Sequence, residues 1–391
     1  MGGQMKISKM VSNIPASPTL SITAKVGSLK AQGKDVIGLG AGEPDFDTPE
    51  HIKDAALQAL KQGKTKYTPA GGTPELKEAI CNRTKQDYGL DIKPDNVVIS
   101  CGAKHSLFNL ALTLFEPGDE VICVCPYWVS YPPIIRIAGA VPVIIDTTTT
   151  HFKLHPNQVK EAITERTKGI IINSPSNPAG IVYGKDALEK IADICLENDI
   201  SIISDDIYQK LVFGNVTFSS IATISPEVAE KTFIIHGVSK TYAMTGWRIG
   251  YCIGDSGVIK AITRLQSQST SNPASIAQAA SVTALTSDQT PVETMRKAFE
   301  GRRKIMISKL KEIPGFEIIE PDGTFYCFPS IKGYMDRFDG AGALANFLLE
   351  RALVAVVPGE GFGSKEHIRV SFATSEDNII KGLERIKQAL A

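Results

Sequence analysis

Short apolar runs recur along the chain, each closed by a polar or glycine-containing turn: Val97-Val98-Ile99, Val121-Ile122-Cys123-Val124, Val141-Pro142-Val143-Ile144-Ile145, Ile170-Ile171-Ile172, Ile200-Ser201-Ile202-Ile203, Thr232-Phe233-Ile234-Ile235 and Ile249-Gly250-Tyr251-Cys252-Ile253. Continuous rather than alternating, they predict strands buried on both faces. Helical spacings lie between them. Ile52, Ala55, Ala56, Ala59 and Leu60 share one face after Thr48-Pro49-Glu50, where a cap followed by proline predicts the start of a helix. Leu107, Phe108, Leu110, Ala111 and Leu114 form a second stripe, and Pro156 to Ile163 and Lys185 to Glu197 two more helices. Strands alternating with helices predict a layered α/β core, a mostly parallel sheet with helices on both faces.

Beyond Asp255 the pattern changes. Two helical stretches flank Gln266 to Pro273, and a long helix, Val292 to Ile313, leads to an alternating strand at Gly323 to Phe328, a helix at Gly342 to Arg351 and a strand at His367 to Phe372. The first residues are polar, with a helix expected at Ser21 to Gln32 and a short strand at Val36 to Leu39. The expected division is 1–49 as N-terminal arm and part of a small domain, 50–285 as a large domain and 286–391 as a small C-terminal domain.

Composition narrows the class. A chain of 391 residues, 43% hydrophobic and 21% charged, has the make-up of a folded enzyme rather than a disordered chain. Lys plus Arg equals Asp plus Glu at 42 each, so no basic surplus draws it to nucleic acid or an anionic membrane. Met1-Gly2-Gly3-Gln4-Met5-Lys6 lacks the apolar core of a signal peptide, and no apolar run spans a bilayer. Seven cysteines without metal spacing, Cys123 and Cys125 among them, read as thiols in a reducing cytoplasm.

Candidate chemistry centres on Ser239-Lys240-Thr241-Tyr242-Ala243-Met244-Thr245-Gly246-Trp247-Arg248, a polar turn between two buried strands. Lys240 can condense with a carbonyl once its pKa falls, and Arg248 offers a planar fork for phosphate. Read alone, the same pair also fits a solvated turn. Cys101-Gly102-Ala103-Lys104 joins a strand to a helix start, where free N–H groups hold an anion. Trp128, after a strand's carboxyl end, fits a ring platform or core packing. Asn177 is presented rigidly by the prolines of Asn173-Ser174-Pro175-Ser176-Asn177-Pro178. Asp205 and Asp206 follow a strand, but no further ligand completes a metal site around them. Arg369, on a strand, suits bidentate grip of a carboxylate or a solvated edge. The six histidines fit no triad and are read as structural. Two look-alikes fail: Gly38 to Glu43 has Glu43 where a dinucleotide fingerprint needs glycine, and Gly63-Lys64-Thr65 has Gln58 where a P-loop needs its first glycine.

These motifs, from about Val11 to the C-terminus and in one order, resemble the class I aminotransferases, with the nearest likeness among bacterial aspartate aminotransferases. The resemblance implies fold type I, with a mostly parallel seven-stranded sheet plus a smaller α/β lobe, and pyridoxal 5′-phosphate as cofactor. It makes Lys240 the lysine that binds the cofactor, Asp205 the partner of its pyridinium nitrogen and Tyr208, with Asn177, the partner of its phenolic oxygen. Gly102, Ala103, Lys104, Ser239 and Arg248 become the phosphate site, and Trp128 the ring platform. Tyr67, in Lys66-Tyr67-Thr68, becomes a phosphate ligand reaching the neighbouring site of a homodimer. The substrate's α-carboxylate falls to Arg369, Asn177 and Gly42, and Asp206 takes a structural place.

Three departures bear on detail. Gly237 stands where the family often has a phosphate-binding serine, leaving Ser239 as the alternative. No arginine lies between Gln266 and Gln278, so Lys104 becomes the leading residue for a far carboxylate, beside Trp128. Pro15 occupies the place where a related group carries a lysine associated with prephenate. The resemblance implies ping-pong transamination with aspartate and 2-oxoglutarate as the leading pair, no metal, and small amino and oxo acids as partners. An aromatic or broad-specificity transaminase, a lyase on the same scaffold and a ligand-sensing domain of a regulator are the rivals, the last without room for a helix-turn-helix ahead of the first motif.

Overall fold

The computed structural model describes residues 6–12, 14 and 18–391, so Pro15 lies outside the described residues. Its strands, in chain order, are β1 (Ile37–Gly38), β2 (Val97–Ser100), β3 (Glu120–Cys125), β4 (Val141–Asp146), β5 (Thr167–Asn173), β6 (Ser201–Asp205), β7 (Thr232–Gly237), β8 (Gly250–Ile253), β9 (Tyr326–Cys327), β10 (Val354–Ala355), β11 (Val357–Pro358) and β12 (Ile368–Ser371). Seven of them form one sheet in the order β2-β8-β7-β6-β5-β3-β4. Only β8 runs against its neighbours, pairing antiparallel with β2 and β7. The sheet is therefore mostly parallel, as the apolar runs require.

Both faces of this sheet are covered. Val98, Cys123, Ile171, Ile203 and Phe233 pack with the helix Ala103–Leu114 on one side, and Ile122, Ile170, Ile172 and Ile202 with the helix Lys185–Glu197 on the other. Each such side chain removed from water contributes about 1.5–3 kcal/mol. Because parallel strands share one direction, β5 and β6 end on the same edge, with Asn173 opposite Asp205 in register. That edge is where the polar turns gather.

The C-terminal part packs a three-stranded sheet, β11-β12-β9, against the helices Thr290–Lys311 and Glu376–Leu390. Its core joins Leu344, Val370, Phe372 and Leu383 to Ile37 and Leu39, so the segment after the N-terminal helix Pro18–Ala31 belongs to this second mass. Here the structure trims the expected elements. The strand at Gly323 to Phe328 keeps only β9, and the helix expected at Gly342 to Arg351 runs instead from Gly340 to Phe347 before a wider π turn. Thr48 is also corrected. Pro49 caps the helix Glu50–Lys61, and the Thr48 hydroxyl donates to the Ala243 carbonyl (2.7 Å) while accepting from the Trp247 indole (3.0 Å).

Candidate functional site

Between the large sheet's carboxyl edge and the three-stranded sheet lies a cavity of about 440 Å³. The loop from Val238 to Ile249 enters it, held at its base by a bond from the Val238 N–H to the Ile249 carbonyl (3.3 Å). The loop presents Lys240 and Arg248 to one space, both lining the cavity. Arg248 takes up a left-handed backbone (φ 57°) and donates to the Thr245 carbonyl (2.8 Å).

Lys240 sits on the cavity floor. Its Nζ donates to the Gly42 carbonyl (2.5 Å), and the amine lies 6.0 Å from the centre of the Tyr208 ring. Although the side chain is open to the cavity, protein encloses the amine; burial first, then the guanidinium groups of Arg369 and Arg248, push it down to about 8. Glu43 and Asp205 pull the other way. At pH 7.5 roughly a quarter of such amines are free, against about one in a thousand for an ordinary lysine. A solvated turn would not do this.

Asp205, at the end of β6, is 6% exposed and lines the same cavity. Burial pushes it up to about 6, although the Tyr131 hydroxyl donates to it at 2.6 Å and the Ile207 N–H at 3.3 Å. Asp206 points away into the protein, where the Ser204 hydroxyl donates to it (2.6 Å), and it does not line the cavity. Asn173 braces the edge, donating its amide to the Asp205 carbonyl and accepting from the Asn177 N–H, both at 2.8 Å.

The opposite wall is Arg369 on β12, the central strand of the small sheet and 2% exposed, which excludes the solvated-edge alternative. Its two terminal nitrogens donate to Asn177 Oδ1 (3.0 Å) and the Gly40 carbonyl (3.1 Å), while its Nε is buried without a partner. The guanidinium lies over the Tyr326 ring at 4.2 Å. Donors remain for an anion.

Toward the other end, Ala103, Lys104, Ser239 and Arg248 line the cavity together. Gly102 backs this wall without facing the space. A Cβ there would stand 2.4 Å from Arg248 Nη2, and its φ of 91° suits glycine, so the guanidinium fits because nothing projects beneath it. Gly237 has a similar reason: a Cβ would lie 2.9 Å from both the Gly250 Cα and the Ile249 carbonyl, leaving Ser239 as the hydroxyl that reaches the cavity. Lys104 places its ammonium over the Trp128 ring at 4.8 Å, and Trp128 meets Tyr131 edge to face. Burial, with Arg248 adding, lowers the Lys104 amine.

Of the side chains singled out in the sequence, the fold brings Gly42, Ala103, Lys104, Trp128, Asn177, Asp205, Tyr208, Ser239, Lys240, Arg248 and Arg369 to this cavity. Tyr67 is outside it, 91% exposed, on a separate depression with Lys64, Lys66 and Ser275. The sequence reading did not single out Tyr326, Glu43, Thr245 or Asn173, which also line the cavity or brace it. Glu43 accepts from the Thr245 hydroxyl (2.7 Å). Asn173 lies inside the proline-rich turn, Thr245 inside the Lys240 stretch and Glu43 at the end of the glycine turn, so each sat in a motif already marked.

Residues 34–386 match the family model described as aminotransferase class I and II. The chain is 50% identical over 386 residues to an aspartate aminotransferase of Geobacillus stearothermophilus, covering 98% of each, and 49% identical over 387 residues to that of Bacillus subtilis, again covering 98% of each. Among solved structures it superimposes on aspartate aminotransferase from Thermus thermophilus with maleate at a TM-score of 0.94 and 42% identity, covering 99% of this chain and 100% of that one.

Proposed function

The chain belongs to the class I and II aminotransferases, and on that premise we propose that it moves the amino group of L-aspartate to 2-oxoglutarate, giving oxaloacetate and L-glutamate. Members of this family use pyridoxal 5′-phosphate on fold type I. The cavity fits that group: it offers an amine lowered to about 8, a buried acid and a cradle for an anion, within about 440 Å³. When bound, the cofactor supplies an electron sink for the substrate's α-carbanion and stores the amino group between the two half-reactions.

The chain's own residues divide the remaining work. Lys240 would hold the cofactor aldehyde, and its Nζ, once free, would be the base that takes the proton from the substrate's Cα. Asp205 holds a proton on the ring nitrogen, and Tyr131 fixes the carboxylate that does so. Tyr208 and Asn177 would serve the phenolic oxygen, and Trp128 would offer its face to the ring. Ala103, Lys104, Ser239 and Arg248 would receive the phosphate, with Gly102 behind them leaving room for the guanidinium. Arg369, with Asn177 and Gly42, grips the α-carboxylate and so sets which bond to Cα is broken. Lys104 is the residue for a second carboxylate, and the maleate of the Thermus relative supports a dicarboxylate substrate.

Tyr67, 91% exposed, supports a homodimer in which the partner subunit's Tyr67 completes each phosphate site. A fully active monomer in the ultracentrifuge would exclude it. Seven free cysteines, six of them buried, support a reducing, cytoplasmic setting, and no helix among the described residues is long and apolar enough to cross a membrane. The small and large domains divide as 1–49 with 286–391, and 50–285, a division supported by the packing of Ile37 and Leu39 with Val370 and Leu383.

The observation that carries this reading is the enclosed Lys240 amine, at about 8, in a cleft with Asp205 and Arg369 on its walls. The test is the absorbance spectrum of the purified protein during titration with L-aspartate and then with other amino acids. L-Aspartate is expected to convert the bound cofactor at the lowest concentration; conversion by aromatic donors alone overturns the substrate. Lys240→Ala is expected to abolish the borohydride-trappable bond, and wild-type turnover in that variant overturns the whole reading.

A further inference from the structure

Tyr326 joins the two polar ends of the cleft. It stands on β9, 1% exposed, with its hydroxyl 3.1 Å from that of Tyr208 and its ring beneath the Arg369 guanidinium. The same hydroxyl lies 3.6 Å from the position a Cβ on Gly42 would take, so it also borders the loop whose carbonyl receives Lys240. Among the described residues neither phenol has another hydrogen-bond partner.

A hydroxyl carries one proton, so one phenol of the pair must donate to the other. If Tyr208 donated to Tyr326, it would have no proton left for an acceptor in the cavity. If Tyr326 donates, Tyr208 keeps its own O–H for that purpose, and the two bonds strengthen each other. The charges favour the second arrangement. Arg369 stands 4.2 Å over the Tyr326 ring, whereas the cation over the Tyr208 ring, Lys240, is 6.0 Å away. A cation over a phenol's face makes it the better donor.

We propose that Tyr326 is a positioning residue of the aminotransferase site, donating its hydroxyl proton to Tyr208 so that Tyr208 aims its own at the cofactor's phenolic oxygen, and bracing Arg369 for the substrate's carboxylate. The inference rests on the functional reading above and deepens it. Two tasks then share one ring. The hydroxyl serves the cofactor side and the face serves the carboxylate side, which makes them separable by substitution.

The holoenzyme provides the test. In Tyr326→Phe the ring remains and the hydroxyl goes, so Tyr208 becomes a weaker donor and the phenolic oxygen holds a neighbouring proton more tightly. The pH midpoint of the bound cofactor's absorbance is expected to rise by roughly 0.5 unit or more. The charged groups facing that site, Lys240, Asp205, Arg248, Arg369, Glu43 and Lys104, are unchanged in the variant. Binding of succinate, an unreactive dicarboxylate, is expected to stay within about twofold in Tyr326→Phe and to weaken roughly 3- to 10-fold in Tyr326→Leu, which loses the stack. Tyr326→Met serves for the second arm should Tyr326→Leu fail to fold. An unmoved midpoint in Tyr326→Phe overturns the hydroxyl's role, and wild-type succinate binding without the ring overturns the brace. A wild type whose bound cofactor shows no such titration overturns the role of Lys240 first and this inference with it, so the two failures are distinct.

Discussion

Removing the Tyr131 hydroxyl tests the cavity's electrostatics at its most buried point. The hydroxyl donates to Asp205 Oδ2 at 2.6 Å, both residues are buried, and Tyr131→Phe deletes the donor without changing the ring. A hydrogen bond to a charged group contributes about 1.5–3 kcal/mol, a neutral one about 1 kcal/mol. Which applies depends on pH. Asp205 is raised to about 6 in the folded protein from an ordinary 3.8, so its burial costs nothing below the lower value, costs progressively more between the two and reaches its full cost above the higher one. Tyr131 offsets that cost only while the carboxylate is ionised. In the full-length protein stripped of cofactor, Tyr131→Phe is therefore expected to lose about 2 kcal/mol at pH 8 and about half of that at pH 5. Urea unfolding at the two pH values measures it. A loss that is equal at both, or larger at pH 5, refutes the claim that Tyr131 stabilises the charged form. The same substitution in the holoenzyme is expected to move the acid limb of kcat/KM upward by about one unit.

Two further substitutions probe the packing around this edge. Gly237→Ser, which restores the hydroxyl common elsewhere in the family, is expected to lower stability by about 1–3 kcal/mol without tightening cofactor binding, because its Cβ meets Gly250 and Ile249; a thermal melt and a cofactor titration check both halves. His236 stacks on Tyr251 with ring centres 5.4 Å apart, and burial pushes it down to about 4. Its contribution is complete above the ordinary histidine value of 6.5 and lost as pH falls toward 4, about 3 kcal/mol in all. In His236→Phe the stability difference between pH 7.5 and pH 4.5 is expected to shrink, as urea midpoints will report, while His367, Asp205 and Asp206 titrate alike in both proteins.

The large sheet could be read from the chain because its strands are buried on both faces and therefore written as unbroken apolar runs, Ile170-Ile171-Ile172 being the plainest. The small sheet was legible only in part: β9 and β12 fall within expected strands, but β11 and the neighbouring β10 are two residues each, and Val354-Ala355-Val356-Val357 gives no period by which to tell a strand from a helix end. Lys240, Asp205 and Arg369 were legible because each puts a charged group into apolar surroundings, which chemistry seldom tolerates without use. Tyr326 was not, since a tyrosine beside Phe325 and Phe328 is ordinary core material until its hydroxyl is seen against Tyr208. Thr48 misled for a related reason. Its sequence context is that of a helix cap, but the indole of Trp247 and the carbonyl of Ala243, nearly 200 residues away, compete for the same hydroxyl and win. Tyr67 shows the limit of a single chain: its ring is 91% exposed and outside the cavity, and its role rests on the proposed homodimer.

The loop between β7 and β8 has its two ends clamped side by side, Gly237 facing Gly250 across the pair. Lys240 and Arg248 are thus mounted on one short strap whose feet cannot drift apart. This makes the strap a gauge. Under the roles proposed for Lys240 and Arg248, a carbonyl compound seats on both only where the span from its reactive carbon to its anionic tail matches the reach from amine to guanidinium, a length the backbone itself sets.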